Sequence, residues 1–271
     1  MQVDSDTAPA LKTAGVTITI LGSGTSTGVP VVGCDCPVCT SDEVRNKRSR
    51  CSALLSWDGH NVLIDTSPDL RQQSLVNNIR QIDAVLYTHG HADHVHGIDD
   101  LRVFNVKGDG ALPIYGSAAL IERLTRSFGY VFSWKNRGFC PLLQPIVLTE
   151  AITLFGRRLV PIALVHGSTP VFGYRVGDIA YLTDCVGLAP QAWAQLQGLQ
   201  VLVIDGLRFR DHPTHFTVAQ AIAVAQRLGA RRVVLTHLSH DVDYVRDSEK
   251  LPENVEFAYD GLTITVADSS E

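Results

Sequence analysis

The chain has 271 residues, 45% of them hydrophobic and 19% charged, with a net charge of −5. That length bounds the fold to one large α/β domain or two small ones, and the apolar share excludes disorder. Most apolar surface can be buried at this size without a disulfide scaffold, and the acidic balance speaks against a broad nucleic-acid-coating surface, though not against a local basic patch.

Residues 1–15, MQVDSDTAPALKTAG, are acidic and polar where a secretory signal would be basic and then apolar. They read as a flexible lead. No run approaches the roughly 18 apolar residues of a spanning helix, and lipidation motifs are absent. The expected location is the cytoplasm, where the six cysteines read as metal ligands or core residues. Strands are expected at Val16–Leu21, Ser52–Ser56, Asn61–Asp65, Ala84–Thr88, Leu159–Val165, Phe172–Val176, Ala180–Thr183, Val201–Asp205 and Val233–Thr236. Each is a short Val/Ile/Leu-rich run bounded by Gly, Asp or Pro. Helices are expected at Leu70–Asn77, Gly116–Phe128, Ala189–Leu196 and Thr217–Leu228, the last with a Thr cap and a Gly229 stop. The two kinds alternate without a linker or repeat, so 16–271 reads as a single layered α/β domain. Arg45–Arg50 is a small basic cluster, either a solvated loop or a phosphate contact.

The densest chemistry is Thr88-His89-Gly90-His91-Ala92-Asp93-His94, directly after an apolar strand. His89 and His91 are two apart, so an extended chain puts both imidazoles on one face. Asp93 and His94 follow as the chain turns. Ligands thus crowd the carboxyl end of a strand, where open α/β sheets place their sites. Imidazole with carboxylate suits Zn, Mn or Fe. Downstream, His166, Asp184 and His237 each end or follow an apolar strand in the same way. Singly, each is an ordinary cap or a satisfied histidine. Their shared placement points to one rim.

These seven residues resemble the metallo-β-lactamase superfamily, whose motif is His-x-His-x-Asp-His followed by His, Asp and His. The resemblance implies a four-layer αββα sandwich with a binuclear site on one edge. It implies that His89, His91 and His166 hold one divalent metal, that Asp93, His94 and His237 hold the other, and that Asp184 bridges them. Asp65 matches the family's early aspartate, which orients ligands from behind; a plain strand-end cap is the other reading.

Cys34-Asp35-Cys36-Pro37-Val38-Cys39 places three thiols in six residues of a loop. Three thiolates and a histidine make a closed tetrahedral zinc site; a Cys36–Cys39 disulfide is the redox alternative. His240, three residues after His237, is the candidate fourth ligand, closing a cysteine-rich zinc loop at 33–40. Cys51, Cys140 and Cys185 read as core or loop residues. The whole pattern resembles the PhnP-type phosphodiesterases. It is carried by Leu21-Gly22-Ser23-Gly24, Gly28-Val29-Pro30, the cysteine loop, the histidine motif, Phe172-Gly173-Tyr174 and Thr236-His237-Leu238-Ser239-His240.

That resemblance implies hydrolysis of a small phosphodiester, with a cyclic ribose phosphate as one candidate, by a water activated between two metals (Zn or Mn). One structural Zn completes the cofactor set. Asp93 and His215 are the catalytic candidates. His215, in Asp211-His212-Pro213-Thr214-His215, is a general acid or a phosphate contact; its pKa range suits a proton donor. A helix-leading surface residue is its bland reading. Arg208 and Arg210 are anion contacts or solvated charges. The rival functions are a tRNA 3′-processing endoribonuclease of the same superfamily and a non-catalytic metal-stabilised binding module. A secreted lactamase fits less well, for want of a signal peptide. The expected partners are the small phosphodiester and, from the resemblance, a second copy in a homodimer, with no membrane and no stable nucleic-acid partner. If one loop touches both metal centres, His240→Ala lowers turnover with the catalytic ligands intact. Unchanged metal content and turnover in that variant contradict the link.

Overall fold

The computed structural model describes residues 15–105, 110–133 and 141–268. The expected lead over residues 1–14, and Cys140, lie outside these. In chain order the strands are β1 (Gly15–Gly22), β2 (Ser52–Trp57), β3 (His60–Ile64), β4 (Ala84–Leu86), β5 (Leu112–Gly116), β6 (Leu143–Val147), β7 (Ile152–Leu154) and β8 (Arg157–His166). They continue with β9 (Thr169–Val176), β10 (Ile179–Leu182), β11 (Gly187–Leu188), β12 (Val201–Asp205), β13 (Arg232–Thr236), β14 (Val255–Phe257) and β15 (Thr263–Ala267). The helices are α1 (Leu70–Val76), α2 (Ala92–Val95), α3 (Arg102–Asn105), α4 (Ala118–Ser127), α5 (Ala192–Gln195), α6 (Val218–Leu228) and α7 (Tyr244–Ser248).

One sheet runs β15-β1-β2-β3-β4-β5-β6 and the other β11-β8-β9-β10-β12-β13-β14, with β7 beside β8. Side-chain alternation sorts each strand between two cores. Ile18, Ile20, Ala53, Leu55, Val62 and Ile64 of the first sheet meet Tyr174, Val176, Tyr181, Val201 and Val203 of the second. Their neighbours point outward. Leu54, Leu63 and Val85 pack with Leu70, Leu120 and Leu124 under α1 and α4. Leu202, Ile204 and Val233 pack with Ala192, Val218, Ala221 and Ala225 under α5 and α6. The result is the expected four-layer αββα sandwich. It also explains why the central strands read as unbroken apolar runs: both faces are buried.

Two devices tie the sheets together at the edge where β4, β8, β10 and β13 end. The Tyr174 hydroxyl donates to the Tyr87 carbonyl at 2.6 Å, and the Phe172 N–H donates to the Thr88 carbonyl at 3.0 Å. Both clamp the end of β4 to β9. On the other side, half-buried Asp260 accepts from the N–H and hydroxyl of Ser23 and of Ser49. The Leu238 N–H donates to the Ser23 carbonyl, and the Thr25 N–H to the Leu238 carbonyl. Gly24 permits this approach: a Cβ there would lie 2.9 Å from the Arg48 and Ser49 carbonyl oxygens.

One member of the basic cluster, Arg48, departs from both expected roles, while Lys47 stays exposed. Arg48 is only 2% exposed. Its guanidinium donates to the carbonyls of Ser239 and Val242 and to the Asn46 side chain. Burial lowers its pKa to about 10. Arg45 pairs with Glu43, and Arg50 with Asp69. Arg48 is an internal clamp because unsatisfied carbonyls in the 239–242 turn need donors. The expected helix Ala189–Leu196 is shorter, forming only over α5.

Candidate active site

The sheets deliver their ligands to a common edge from opposite sides. β4 leads into His89; His91 precedes α2, whose single turn carries Asp93 and His94. β8 ends on His166, while Asp184 and His237 follow β10 and β13. One atom from each of His89, His91, His166 and Asp184 lies within 4.8 Å of the others, and the same holds for Asp93, His94, Asp184 and His237. Asp184 belongs to both groups. Its Oδ1 is 3.8 Å from His89 Nε2 and 3.4 Å from His237 Nε2, and its Oδ2 is 3.1 Å from His94 Nε2. Asp65, Asp184 and His237 have φ of 63°, 52° and 59°. Such left-handed backbone is uncommon outside glycine and concentrates at functional sites.

Partners behind the rings fix which nitrogen faces the centre. Asp65 accepts from His94 Nδ1 at 2.6 Å, from the Thr88 N–H at 2.8 Å and from the Thr88 hydroxyl at 2.8 Å. Asp65 therefore holds His94 and the base of the histidine loop together. Thr88 Oγ1 lies 3.0 Å from His89 Nδ1. The Thr214 carbonyl accepts from His166 Nδ1 at 2.9 Å. In each case Nε2 is left for the centre, the arrangement metal-binding histidines need.

The donor set fits cations. His94 Nε2 and both ring nitrogens of His237 are buried with no hydrogen-bond partner among the described residues, although buried polar atoms are nearly always paired. Burial opposes charge on Asp184, yet His237 and His94 hold its carboxyl well below the usual range. Burial likewise opposes a proton on His237, yet Asp184 pushes it up to about 10. Positive charge is what this edge demands.

A second centre lies one turn away. His240 Nδ1 is 3.3 Å from Cys34 Sγ, 3.6 Å from Cys36 Sγ and 3.5 Å from Cys39 Sγ. All three thiols are free, so the Cys36–Cys39 disulfide is not formed. One nitrogen cannot satisfy three sulfurs, and these four atoms suit a closed tetrahedral zinc site. The Cys39 N–H brings the Cys36 thiol down to about 7, while burial pushes Cys39 up to about 11.

Comparison with known proteins agrees with this geometry. Residues 60–238 match the model of the beta-lactamase superfamily domain. The chain belongs to that superfamily. A crystal structure of a diphosphatase from the PhnP family shares 40% identity at a TM-score of 0.87, covering 93% of this chain and 97% of that one. The PhnP family is therefore this chain's own. An octanoyltransferase of Porphyromonas gingivalis is 40% identical over 248 residues, covering 90% of this chain and 50% of that protein. The chain thus spans about half the length of that relative. Human tRNase Z, short form, shares the fold at 20% identity and a TM-score of 0.64, covering 92% of this chain and 98% of that one.

Within this PhnP-family chain, the segment before α6 brings a further ring to the edge. His215 is 8% exposed. Its centroid is 4.8 Å from that of His166 and 4.8 Å from that of His237, stacked on the latter. Its Nδ1 lies 2.6 Å from Asp205 Oδ2. Asp205 also accepts from the N–H groups of Cys185 and Leu207. Asp205 was not singled out from the sequence, although it ends an apolar strand as Asp184 and His237 do. His212, also unassigned, packs its ring 4.9 Å from His215. Arg208 donates to the carbonyls of Arg210 and Asp211, closing its own loop. Arg210 pairs with Asp241 at the surface. Cys51 and Cys185 are wholly buried behind the edge. Asp65→Asn is expected to weaken divalent-metal retention by about 10–100-fold, the usual cost of losing an orienting carboxylate. Competition with a chromogenic chelator measures this; affinity equal to wild type contradicts the assignment.

Proposed function

We propose that the chain hydrolyses small phosphodiesters at this edge, using two divalent cations, Zn or Mn, and one structural Zn. The observation that carries the reading is the pair of ligand groups sharing Asp184, with an oriented histidine, His215, stacked against them. His89, His91 and His166 would hold one cation, Asp93, His94 and His237 the other, with Asp184 common to both. When bound, such a pair supplies Lewis acidity toward a phosphoryl oxygen and lowers the pKa of water toward neutrality. Asp93 then serves the reaction as a ligand. Cys34, Cys36, Cys39 and His240 would hold the structural Zn.

The chain's own residues handle the leaving group. Asp205 accepts from His215 Nδ1, which leaves Nε2 to carry and release a proton. The carboxylate steadies the imidazolium, as an aspartate does in other His-Asp pairs. Protonating the departing alkoxide is the step this geometry suits. Arg208 has Nη1 free of a partner among the described residues, and we assign it to a phosphoryl oxygen. The cyclic ribose phosphate remains the favoured substrate subclass. A reducing cytoplasm suits the three free thiols, and a homodimer is the expected assembly.

The competing readings explain less. Acyl transfer, suggested by the name of the P. gingivalis relative, would want an accessible activated nucleophile. Burial instead pushes the Cys185 thiol well above its ordinary value, and Cys51 sits against the Tyr181 hydroxyl; neither is placed to attack. A structural module needs four ligands, whereas seven converge here. A tRNA-processing nuclease would use the same seven, but the net charge of −5 suits a small ester better. Metal-loaded protein is expected to hydrolyse bis-p-nitrophenyl phosphate, with activity abolished by chelation. His215→Ala is expected to retain its metals and lose about 10²–10⁴ in kcat. Full turnover under chelation, or in the variant, overturns the reading.

A further inference from the structure

A polar seam runs through the apolar core directly behind the ligands. β10 and β13 of the second sheet each deliver a ligand one step past a threonine: Thr183 precedes Asp184, and Thr236 precedes His237. Alternation carried on from β10 puts Thr183 on the face of Tyr181. Along β13 it puts Thr236 on the face of Val234, and both faces turn toward the first sheet. The two threonines are fully buried. Cys51, just ahead of β2 in the first sheet and equally buried, reaches across to meet them. Its Sγ lies 3.1 Å from Tyr181 Oη, 3.6 Å from Thr183 Oγ1 and 3.6 Å from Thr236 Oγ1. One sulfur thus touches the residues in front of two ligands.

The seam has a direction. The Thr183 hydroxyl donates to Asp184 Oδ2 at 2.8 Å. Its one proton is then spent, so toward Cys51 it only accepts, and the thiol donates. The thiol's proton is spent in turn, so toward Tyr181 and Thr236 the sulfur accepts. The chain therefore runs from Tyr181 through Cys51 and Thr183 to the carboxylate common to both ligand groups. Hydrogen bonds linked in this way strengthen one another in a dry interior. Valine would fill the space of Thr183 without the cost of burying a hydroxyl, so what threonine adds here is the bond to Asp184. That carboxylate has much to hold. Its backbone is left-handed, with φ 52°, and its oxygens face different groups, Oδ2 toward His94 and Oδ1 toward His237 and His89. Rotation about its last bond would withdraw both.

We propose that Thr183 is a positioning residue for the shared carboxylate: it holds Asp184 in the rotation that offers an oxygen to each cation, and Cys51 and Tyr181 hold Thr183 in turn. The proposal rests on the two-cation reading above and adds to it the groups that keep the two cations coupled. All three residues are buried behind the edge, so they act through Asp184 and not on the substrate.

The test loads wild type, Thr183→Val, Thr183→Ser and Cys51→Ala with Mn(II). Electron paramagnetic resonance reads the magnetic coupling between bound ions, and competition with a chromogenic chelator reads their affinity. Wild type is expected to show a coupled pair. Thr183→Val is expected to keep its far-ultraviolet circular dichroism, bind Mn(II) about 10–100-fold less tightly, the scale of losing a group that orients a ligand, and lose the coupling. Thr183→Ser, which returns the hydroxyl, is expected to restore both. Cys51→Ala leaves the hydroxyl on Asp184 and is expected to fall between wild type and Thr183→Val in affinity. Wild-type affinity and coupling in Thr183→Val, or no recovery in Thr183→Ser, overturns the role of the hydroxyl. Should Thr183→Val not fold, Cys51→Ala decides: affinity equal to wild type overturns the seam. Each of these results leaves the two-cation reading standing. A wild type that binds no pair of cations overturns that reading itself.

Discussion

Buried charge in want of a cation governs this molecule. Asp93 and Asp184 sit at one edge with His89, His94, His166 and His237, all nine-tenths buried or more. An isolated buried charge is expensive. Here Asp93 and Asp184 hold protons on His94 and His237, with His94 pushed well above the ordinary histidine range despite the cost of burial, while burial and neighbouring His94 push His89 well below it. The three orphaned ring nitrogens of His94 and His237 belong to the same deficit.

The rest of the fold is arranged to keep those groups together. Each sheet contributes part of both ligand groups, so the sheets cannot slide without dismantling the edge. Tyr174 and Phe172 fasten β9 to the start of the histidine loop. Ser23 and Thr25 fasten Leu238, just after His237, to the first sheet, and Asp260 braces Ser23 and Ser49 behind them. Arg48 and His240 then hold the next turn from two directions, one by carbonyls and one through the cysteine loop. His237 of the ligand cluster and His240 of the cysteine cluster are therefore three residues apart, and precision at the edge depends on support behind it.

Much of this was legible in the residues. Strands buried on both faces leave unbroken apolar runs, so Val201–Asp205 and Val233–Thr236 stood out. Edge strands did not: β15 alternates buried and exposed residues, β6 is largely exposed and contains Pro145, and β14 has three residues. Ligands at strand ends were visible because polar residues interrupt those apolar runs. Asp205 obeyed the same rule and went unremarked, since its partner His215 lies ten positions on, past a turn with no periodic pattern. Arg48 could not be read at all. A basic cluster looks solvated in sequence, and only folding shows that the 239–242 carbonyls surround one of its members.

Anomalous diffraction from crystals of the metal-loaded protein tests the central claim most directly. The account predicts two peaks flanking the Asp184 carboxylate, one beside His89, His91 and His166 and one beside Asp93, His94 and His237, with a third among Cys34, Cys36, Cys39 and His240. Clear density for these side chains with no cation between them, at saturating metal, would contradict it.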